Sequence, residues 1–338
     1  MPLAFRFRRP LHRLVLVAGA VSLVVSMAAG CAQKPSEAAY PSKAVEVTVA
    51  FAPGGSADQQ SRLLADYLSK KWGQPVSVVN KAGGGGATGT AATAQAAPDG
   101  YSVNNGMVNT LAYIPASQKN SPYNWDSFTY LARLCITPSV LVVNANSPYK
   151  TAKDLVDAIK KDPSKFNAGV SGLSGTGVFG IAQLLKSQGI DPAAVKMVNF
   201  DGGSQVITNL AGGHVDFAAQ QLPEVLEMVK GGKLRALAHT YSERLKDLPD
   251  VPTAKEAGYP EYTVMPTGGF VGPKGIPEAV VTKWETAIGD ALKDKDFAAA
   301  LQKTGAIGSY QSSKDYRAGI ETEFKTASDL AKTLGLVK

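Results

Sequence analysis

The chain has 338 residues, 44% of them hydrophobic and 19% charged, which is long enough for two separate cores and excludes a disordered or low-complexity protein. Its formal charge of +7 is largely an N-terminal effect: residues 1–30 hold four Arg and no acid, and without them 31 basic residues face 28 acidic ones, a net +3. With so small a surplus, and no Lys/Arg run interleaved with aromatics, no nucleic-acid partner is expected.

The first thirty residues read as a secretory signal peptide. Arg6, Arg8, Arg9 and Arg13 precede the apolar or small stretch Leu14–Gly30, whose 17 residues fall short of the roughly 20 a membrane span needs. The stretch ends in Met27-Ala28-Ala29-Gly30-Cys31. Small residues before a single Cys look like a bacterial lipobox, in which Cys31 is acylated and becomes the mature N-terminus. Ala28 stands where Leu is preferred, so an ordinary signal peptide with an incidental Cys is the alternative. Arg8-Arg9 also permits twin-arginine export, though its flanks are poor. Residues 31–40 are small, polar and Pro-bearing and read as a tether to the membrane. Cys135, in the apolar run Leu134-Cys135-Ile136, is expected to be buried and inert; with Cys31 lipidated, no intrachain disulfide can form.

Val45–Ala50 reads as a strand, followed by Phe51-Ala52-Pro53-Gly54-Gly55-Ser56-Ala57-Asp58 and a helix with Leu63, Leu64, Tyr67 and Leu68 on one face. Ser56 and Gln59 have capping-box spacing, and Gly73 closes the helix. The unit then repeats: strand Val76–Asn80, the glycine turn 83–89, and a helix over Ala87–Ala97 ending at Pro98-Asp99-Gly100. Tyr101-Ser102-Val103 is a third strand, leading into Asn104-Asn105-Gly106. Strands at Leu141–Val143, Asn167–Val170, Lys196–Phe200, Phe217–Ala219 and Leu234–His239 alternate with helices at Thr151–Lys161, through Leu184-Leu185, after Ser204, and at Glu224–Lys230. From Pro277 onward the pattern is mostly helical, with Val280, Val281, Trp284, Ile288 and Leu292 on one stripe. Such alternation implies α/β layers with parallel sheets.

Two strand–turn–helix units in succession place two helix N-termini on one sheet edge. Their free N–H groups and dipoles suit an anion without any charged side chain. The pattern Gly84-x-Gly86-x-x-Gly89 is formally a dinucleotide fingerprint, but it lies in the second unit and no acid ends the next strand. Enzymatic motifs are poor: residues 31–338 contain only His214 and His239, Gly172-Leu173-Ser174-Gly175-Thr176 misses the nucleophile elbow by its last residue, and no Walker lysine follows either glycine run. Neither catalysis nor a cofactor or metal is expected.

Six blocks in order carry a family resemblance: Tyr40–Lys43 with Phe51–Asp58; Trp72-Gly73-Gln74-Pro75; Asn80–Gly85; Ala97–Tyr101; Gly231–Ala238; and Leu248–Thr253 with Glu256-Ala257-Gly258. Over almost the whole mature chain the sequence resembles the periplasmic solute-binding proteins of tripartite tricarboxylate transporters, the Bug or TctC family. The resemblance implies a two-lobed, type II-like periplasmic binding protein with parallel-rich sheets and a hinge. One lobe would take residues 41–138 and 263–338, the other 139–262. It also implies a monomeric, lipid-anchored periplasmic protein that hands a ligand to integral membrane transporter subunits. The family's ligands are small carboxylates: dicarboxylates, citrate-like acids, acidic amino acids or amides, and some aromatic acids. The chain departs from the family at Phe179, where His is frequent, and at Thr267, where Trp is frequent. Phe179 is therefore either core or a platform for an aromatic acid.

In the opening loop Phe51, Pro53, Gly54, Gly55 and Ser56 are candidates for the first carboxylate. Asp58 in the first helical turn either stabilises the helix dipole or reaches the ligand through water or an amine. Gly84, Gly85 and Gly86 add backbone donors. Thr110, Ser171, Ser174, Gly175 and Thr176, with Asp201 and Gly202, suit a second carboxylate or polar tail. None of these loops carries Arg, so recognition would rest on backbone N–H groups, hydroxyls and water, enough for micromolar affinity of about −8 kcal/mol. A secreted NAD(P)-dependent enzyme using Gly84, Gly86 and Gly89, and a ligand-presenting sensor, are the alternatives.

Overall fold

The computed structural model describes residue 1, residues 40–200 and residues 202–337. Residues 2–39, which hold nearly all of the expected signal peptide and Cys31, and Asp201 lie outside the described residues. The first half runs β1 (Val45–Val49), α1 (Ser56–Trp72), β2 (Val76–Asn80), a 3-10 turn Gly84–Gly86 entering α2 (Ala87–Ala94), and β3 (Ser102–Met107). A π turn Asn109–Tyr113 then leads into α3 (Ile114–Ser117), β4 (Phe128–Ile136) and β5 (Ser139–Asn144). The middle runs α4 (Ala152–Lys161), β6 (Asn167–Ser171), α5 (Thr176–Ser187), β7 (Lys196–Phe200), α6 (Gly203–Ala211), β8 (Phe217–Gln221), α7 (Leu222–Lys230) and β9 (Leu234–His239). The chain ends with β10 (Thr267–Pro273), α8 (Glu278–Lys293), α9 (Lys295–Lys303), β11 (Ile307–Ser312) and α10 (Ser313–Thr333).

Local chemistry explains the boundaries. Thr151 and Asp154 cap α4 reciprocally, its Leu155, Val156 and Ile159 are buried, and Lys160 and Lys161 sit at its negative end. Gly73 ends α1 in the left-handed region at φ +66°. At the start of α1 the expected capping box does not form: Gly55 is the N-cap and no side chain caps the helix. Instead the Gln59 amide donates to the Gly54 carbonyl at 2.9 Å, closing the turn one residue earlier. The second helix stops at Ala94 rather than Ala97. Asn104-Asn105-Gly106, expected to lead out of the strand, continues it to Met107, because Asn105 donates to Ser61 Oγ at 2.8 Å and to the Ala57 carbonyl at 3.3 Å under α1.

Two sheets result, of order β11-β4-β10-β3-β1-β2 and β7-β6-β8-β5-β9. Both are mixed, which corrects the parallel-rich expectation. In the first, β1 is parallel to β2 and β3 while β10 and β4 run antiparallel. In the second, β6 is parallel to β7 and β8 while β5 is antiparallel to β8 and β9. The antiparallel members include the strands that carry the chain from one sheet to the other. β5 is buried on both faces. Leu141 and Val143 join the cluster under α4 and α5, and Val140 and Val142 join the one under α6 and α7. That is why it reads as a continuous apolar run.

The two lobes also share a core. Phe179 and Ala182 of α5 belong to the cluster that holds Leu111, Tyr113 and, from α10, Leu330. The Phe179 ring is 1% exposed, with its centroid 4.4 Å from that of Tyr113. Phe179 is core and offers no platform to a ligand. Cys135 is fully buried, donates to Gln60 Oε1 at 3.3 Å, and has its thiol pushed up to about 12 by burial, as expected of an inert cysteine.

Candidate functional site

Strand direction places the site. The carboxyl ends of β1, β2 and β3 share one edge, where β10 begins (Gly268 opposite Met107) and β4 ends (Ile136 opposite Thr267). The carboxyl ends of β6, β7 and β8 share the edge where β5 begins, Ser139 opposite Gln221. Only residues 137 and 138 separate β4 from β5. The two edges therefore meet at the crossing, where Thr137 N–H donates to the Pro266 carbonyl at 2.8 Å and Leu222 N–H to the Pro138 carbonyl at 2.9 Å. The helical segments after β1, β2 and β3 and those after β6, β7 and β8 all start at this junction, and each start carries a partial positive charge.

On the first lobe, Gly86 packs against both Phe51 and Thr110. A Cβ at 86 would lie 2.6 Å from Thr110 Cγ2 and 3.0 Å from Phe51 Cζ, and Gly86 has φ +105°. Only glycine fits there. Gly89 is needed as well, since its Cβ would lie 2.7 Å from the Lys81 carbonyl and 2.9 Å from Ala50 Cα. Close packing of α2 on β1 thus accounts for the glycine spacing that looks like a dinucleotide fingerprint. Pro53, Gly54, Gly55, Gly84 and Gly85 are exposed, and Ser56 is half-buried at the first position of α1. Thr110 is fully buried. Its hydroxyl donates to the Met107 carbonyl at 3.0 Å and accepts from the Met107 N–H at 3.3 Å, which removes it from the set of free donors.

Asp58 is an internal anchor. It is 3% exposed and accepts from Gly54 N–H at 2.9 Å, Arg62 Nε at 3.0 Å and Asn80 Nδ2 at 2.9 Å. Burial pushes its carboxyl up, but the hydrogen bonds from Arg62, Gly54 and Asn80, together with the Arg62 charge, outweigh it and hold the carboxyl below its ordinary value. Arg62 also donates to Asn80 Oδ1 at 3.0 Å, so its charge is engaged within the loop support.

On the second lobe, Ser171 ends β6, Gly175 is the N-cap of α5 and Thr176 its first residue. Gly175 turns directly over the Ser171 carbonyl, where a Cβ would collide. The Ser174 hydroxyl is 2.8 Å from that of Ser117 on α3, a direct bond between lobes. Gly202 caps α6. Three groups at this edge were not picked out from sequence. Gln220 is 5% exposed, and its Nε2 has no hydrogen-bond partner in the structure; the same holds for the buried Gln221 Oε1. Glu224, in the first turn of α7, lies against Gly203, where a Cβ would strike its carboxyl group. Glu224 is exposed as a whole, while burial of its carboxyl pushes it up to about 7 against the lowering effect of a hydrogen bond from the Gln221 backbone. An acid early in a helix is so common that nothing in the sequence marks this one. At the crossing the buried Thr267 hydroxyl also lacks a partner.

The Asp58 anchor yields a stability prediction. Asp58→Ala should lower stability by about 1–3 kcal/mol at neutral pH, the range for stranding buried hydrogen-bond donors. Because the folded carboxyl titrates below its unfolded value of about 3.9, its contribution is complete above that pH and is lost as pH falls through the folded value. Denaturant melts of both proteins should differ fully at pH 7 and converge below about pH 4; a gap independent of pH would contradict the anchor.

Comparison with known proteins places the chain in a family. Residues 60–336 match the family model described as the tripartite tricarboxylate transporter family receptor. Protein BugT of Bordetella pertussis is 32% identical over 280 residues, 82% of this chain and 85% of that protein. A Rhodopseudomonas palustris protein solved with adipate superposes with a TM-score of 0.77 at 27% identity, covering 88% of this chain and 98% of the other. MatC from Rhodopseudomonas palustris, solved with bound malate, gives 0.73 at 28% identity, covering 86% and 99%. The chain belongs to the tripartite tricarboxylate transporter receptor family of periplasmic solute-binding proteins, called TctC or Bug.

Proposed function

We propose that this protein is a periplasmic lipoprotein that captures a small organic carboxylate between its lobes and presents it to the membrane subunits of a tripartite transporter. Residues 41–138 and 263–338 would form one lobe and 139–262 the other, acting as a monomer that closes on its ligand. The observation that carries this reading is the convergence of helix N-termini from both sheets on one cleft, with the nearby Arg62 already paired inside the loop support. Adipate and malate, held by two structural neighbours, are both dicarboxylic acids. The contacts we assign to the ligand are the exposed backbone of Pro53–Gly55 and Gly84–Gly85, the half-buried Ser56 and the Phe51 ring beside them, the buried Gly86 that lets this turn pack closely, and the turn Ser171–Thr176 with Gly202 opposite. Asp201, outside the described residues, belongs to the same proposal on sequence grounds.

The lipid anchor is proposed from the sequence at Cys31. Cys31→Ser should abolish labelling by a fatty-acid probe and release the protein from membranes; continued labelling would refute the anchor. The opening loop is tested by Gly55→Val. Gly55 has φ −73°, and a Cβ there meets nothing closer than the Ala52 carbonyl at 3.8 Å. Valine should therefore leave the melting temperature within a degree or two while filling the approach to the loop. In calorimetry with adipate and malate, affinity should fall at least tenfold, about 1.4 kcal/mol. Unchanged affinity would remove this loop from the site.

A further inference from the structure

The notable group in an anion-receiving cleft is an acid. Glu224 projects from the first turn of α7 onto the first turn of α6, with its carboxyl group against Gly203. Any side chain at 203 would displace that carboxyl, so glycine there is what lets the two meet. This is the place in the second lobe where a ligand's second carboxylate would find a helix N-terminus. On the neighbouring strand end, the buried Gln220 Nε2 lies 3.8 Å from where a Gly177 Cβ would be, at the start of α5, and has no partner; the buried Gln221 Oε1, an acceptor, has none either. The second lobe thus offers an unpaired donor beside α5, an unpaired acceptor on the next residue, Gln221, and at the start of α6 the Glu224 carboxyl, which accepts from the Gln221 backbone N–H.

Resting on the carboxylate-binding reading above, we propose that Glu224 sets the specificity of the cleft: its carboxylate takes the position of a second ligand carboxylate, and the site selects a monocarboxylate whose far end is a hydrogen-bond donor, an ammonium or primary amide. Two carboxylates at one helix start repel each other, whereas an ammonium or amide N–H is attracted to Glu224 and completes Gln221 Oε1. Such a ligand differs from the dicarboxylic acids held by the two structural neighbours.

The test is calorimetry of the full mature chain against matched series of straight-chain diacids and ω-amino acids of three to six carbons. The wild type should bind its best ω-amino acid at least tenfold more tightly than the diacid of equal length. Glu224→Gln should bring that ratio to one or below, mainly by tightening the diacid. Gly203→Ala, which moves the carboxyl without removing it, should shift the ratio the same way and decides the matter if the Glu224 variant folds poorly. A wild type that prefers diacids, or a ratio unchanged within twofold in both variants, overturns the role of Glu224 and leaves the carboxylate site standing. Binding of neither series by a well-folded wild type overturns the carboxylate site and this proposal together.

Discussion

The two-residue link between β4 and β5 is the constraint on which the cleft depends. It forces the edge where β4 ends to meet the edge where β5 begins. Because β1, β2 and β3 end on the first edge and β6, β7 and β8 on the second, every helix that follows one of these strands must start at the junction. The return from β9 to β10 reinforces the junction through Pro266 and Thr240, whose carbonyl and hydroxyl accept from Thr137 and Ser139. A longer link would let the edges separate and disperse the donors. The fold thus concentrates backbone N–H groups, and the nearby Arg62 is already engaged by Asp58 and Asn80.

That arrangement explains how acids can sit beside an anion site. Asp58 is bound by Arg62, Asn80 and the Gly54 N–H, so its charge is neutralised within the loop support while the outer face of the loop keeps its glycines exposed. Among the described residues Glu224 forms no ion pair, and burial raises its carboxyl against the lowering effect of the Gln221 backbone hydrogen bond. One acid therefore builds the site and the other confronts whatever enters it. The shared core of Phe179, Tyr113 and Leu111 joins the lobes along one side, so relative motion must respect that seam.

Much of this was legible in the sequence because the binding units are local. In each, a strand, a glycine turn and an amphipathic helix are adjacent in the chain, and the strands Val76–Asn80, Lys196–Phe200 and Leu234–His239 fall where the pattern placed them. The strands that escaped, β4, β10 and β11, are antiparallel members of the first sheet, and their partners are distant in sequence. Thr267–Pro273 carries three glycines and a proline, residues that weaken a strand pattern. Two of those glycines are required by packing, since a Cβ at 268 would lie 2.8 Å from Gln60 Oε1 and one at 269 would lie 2.6 Å from the Tyr316 ring. The candidate residues divide the same way. Exposed glycines were marked by their turns. The engagement of Thr110 by Met107, of Ser174 by Ser117, and of Glu224 with Gly203 depends on tertiary contacts that no spacing encodes.

Native mass spectrometry of the protein as purified from its periplasmic environment tests the central claim most directly, because a cleft closed by two lobes retains its guest through purification. The account predicts a one-to-one complex with a single small organic acid that is released on denaturation and identified as a carboxylate. A retained nicotinamide dinucleotide, or a protein that stays empty even in millimolar mixtures of organic acids, would contradict it.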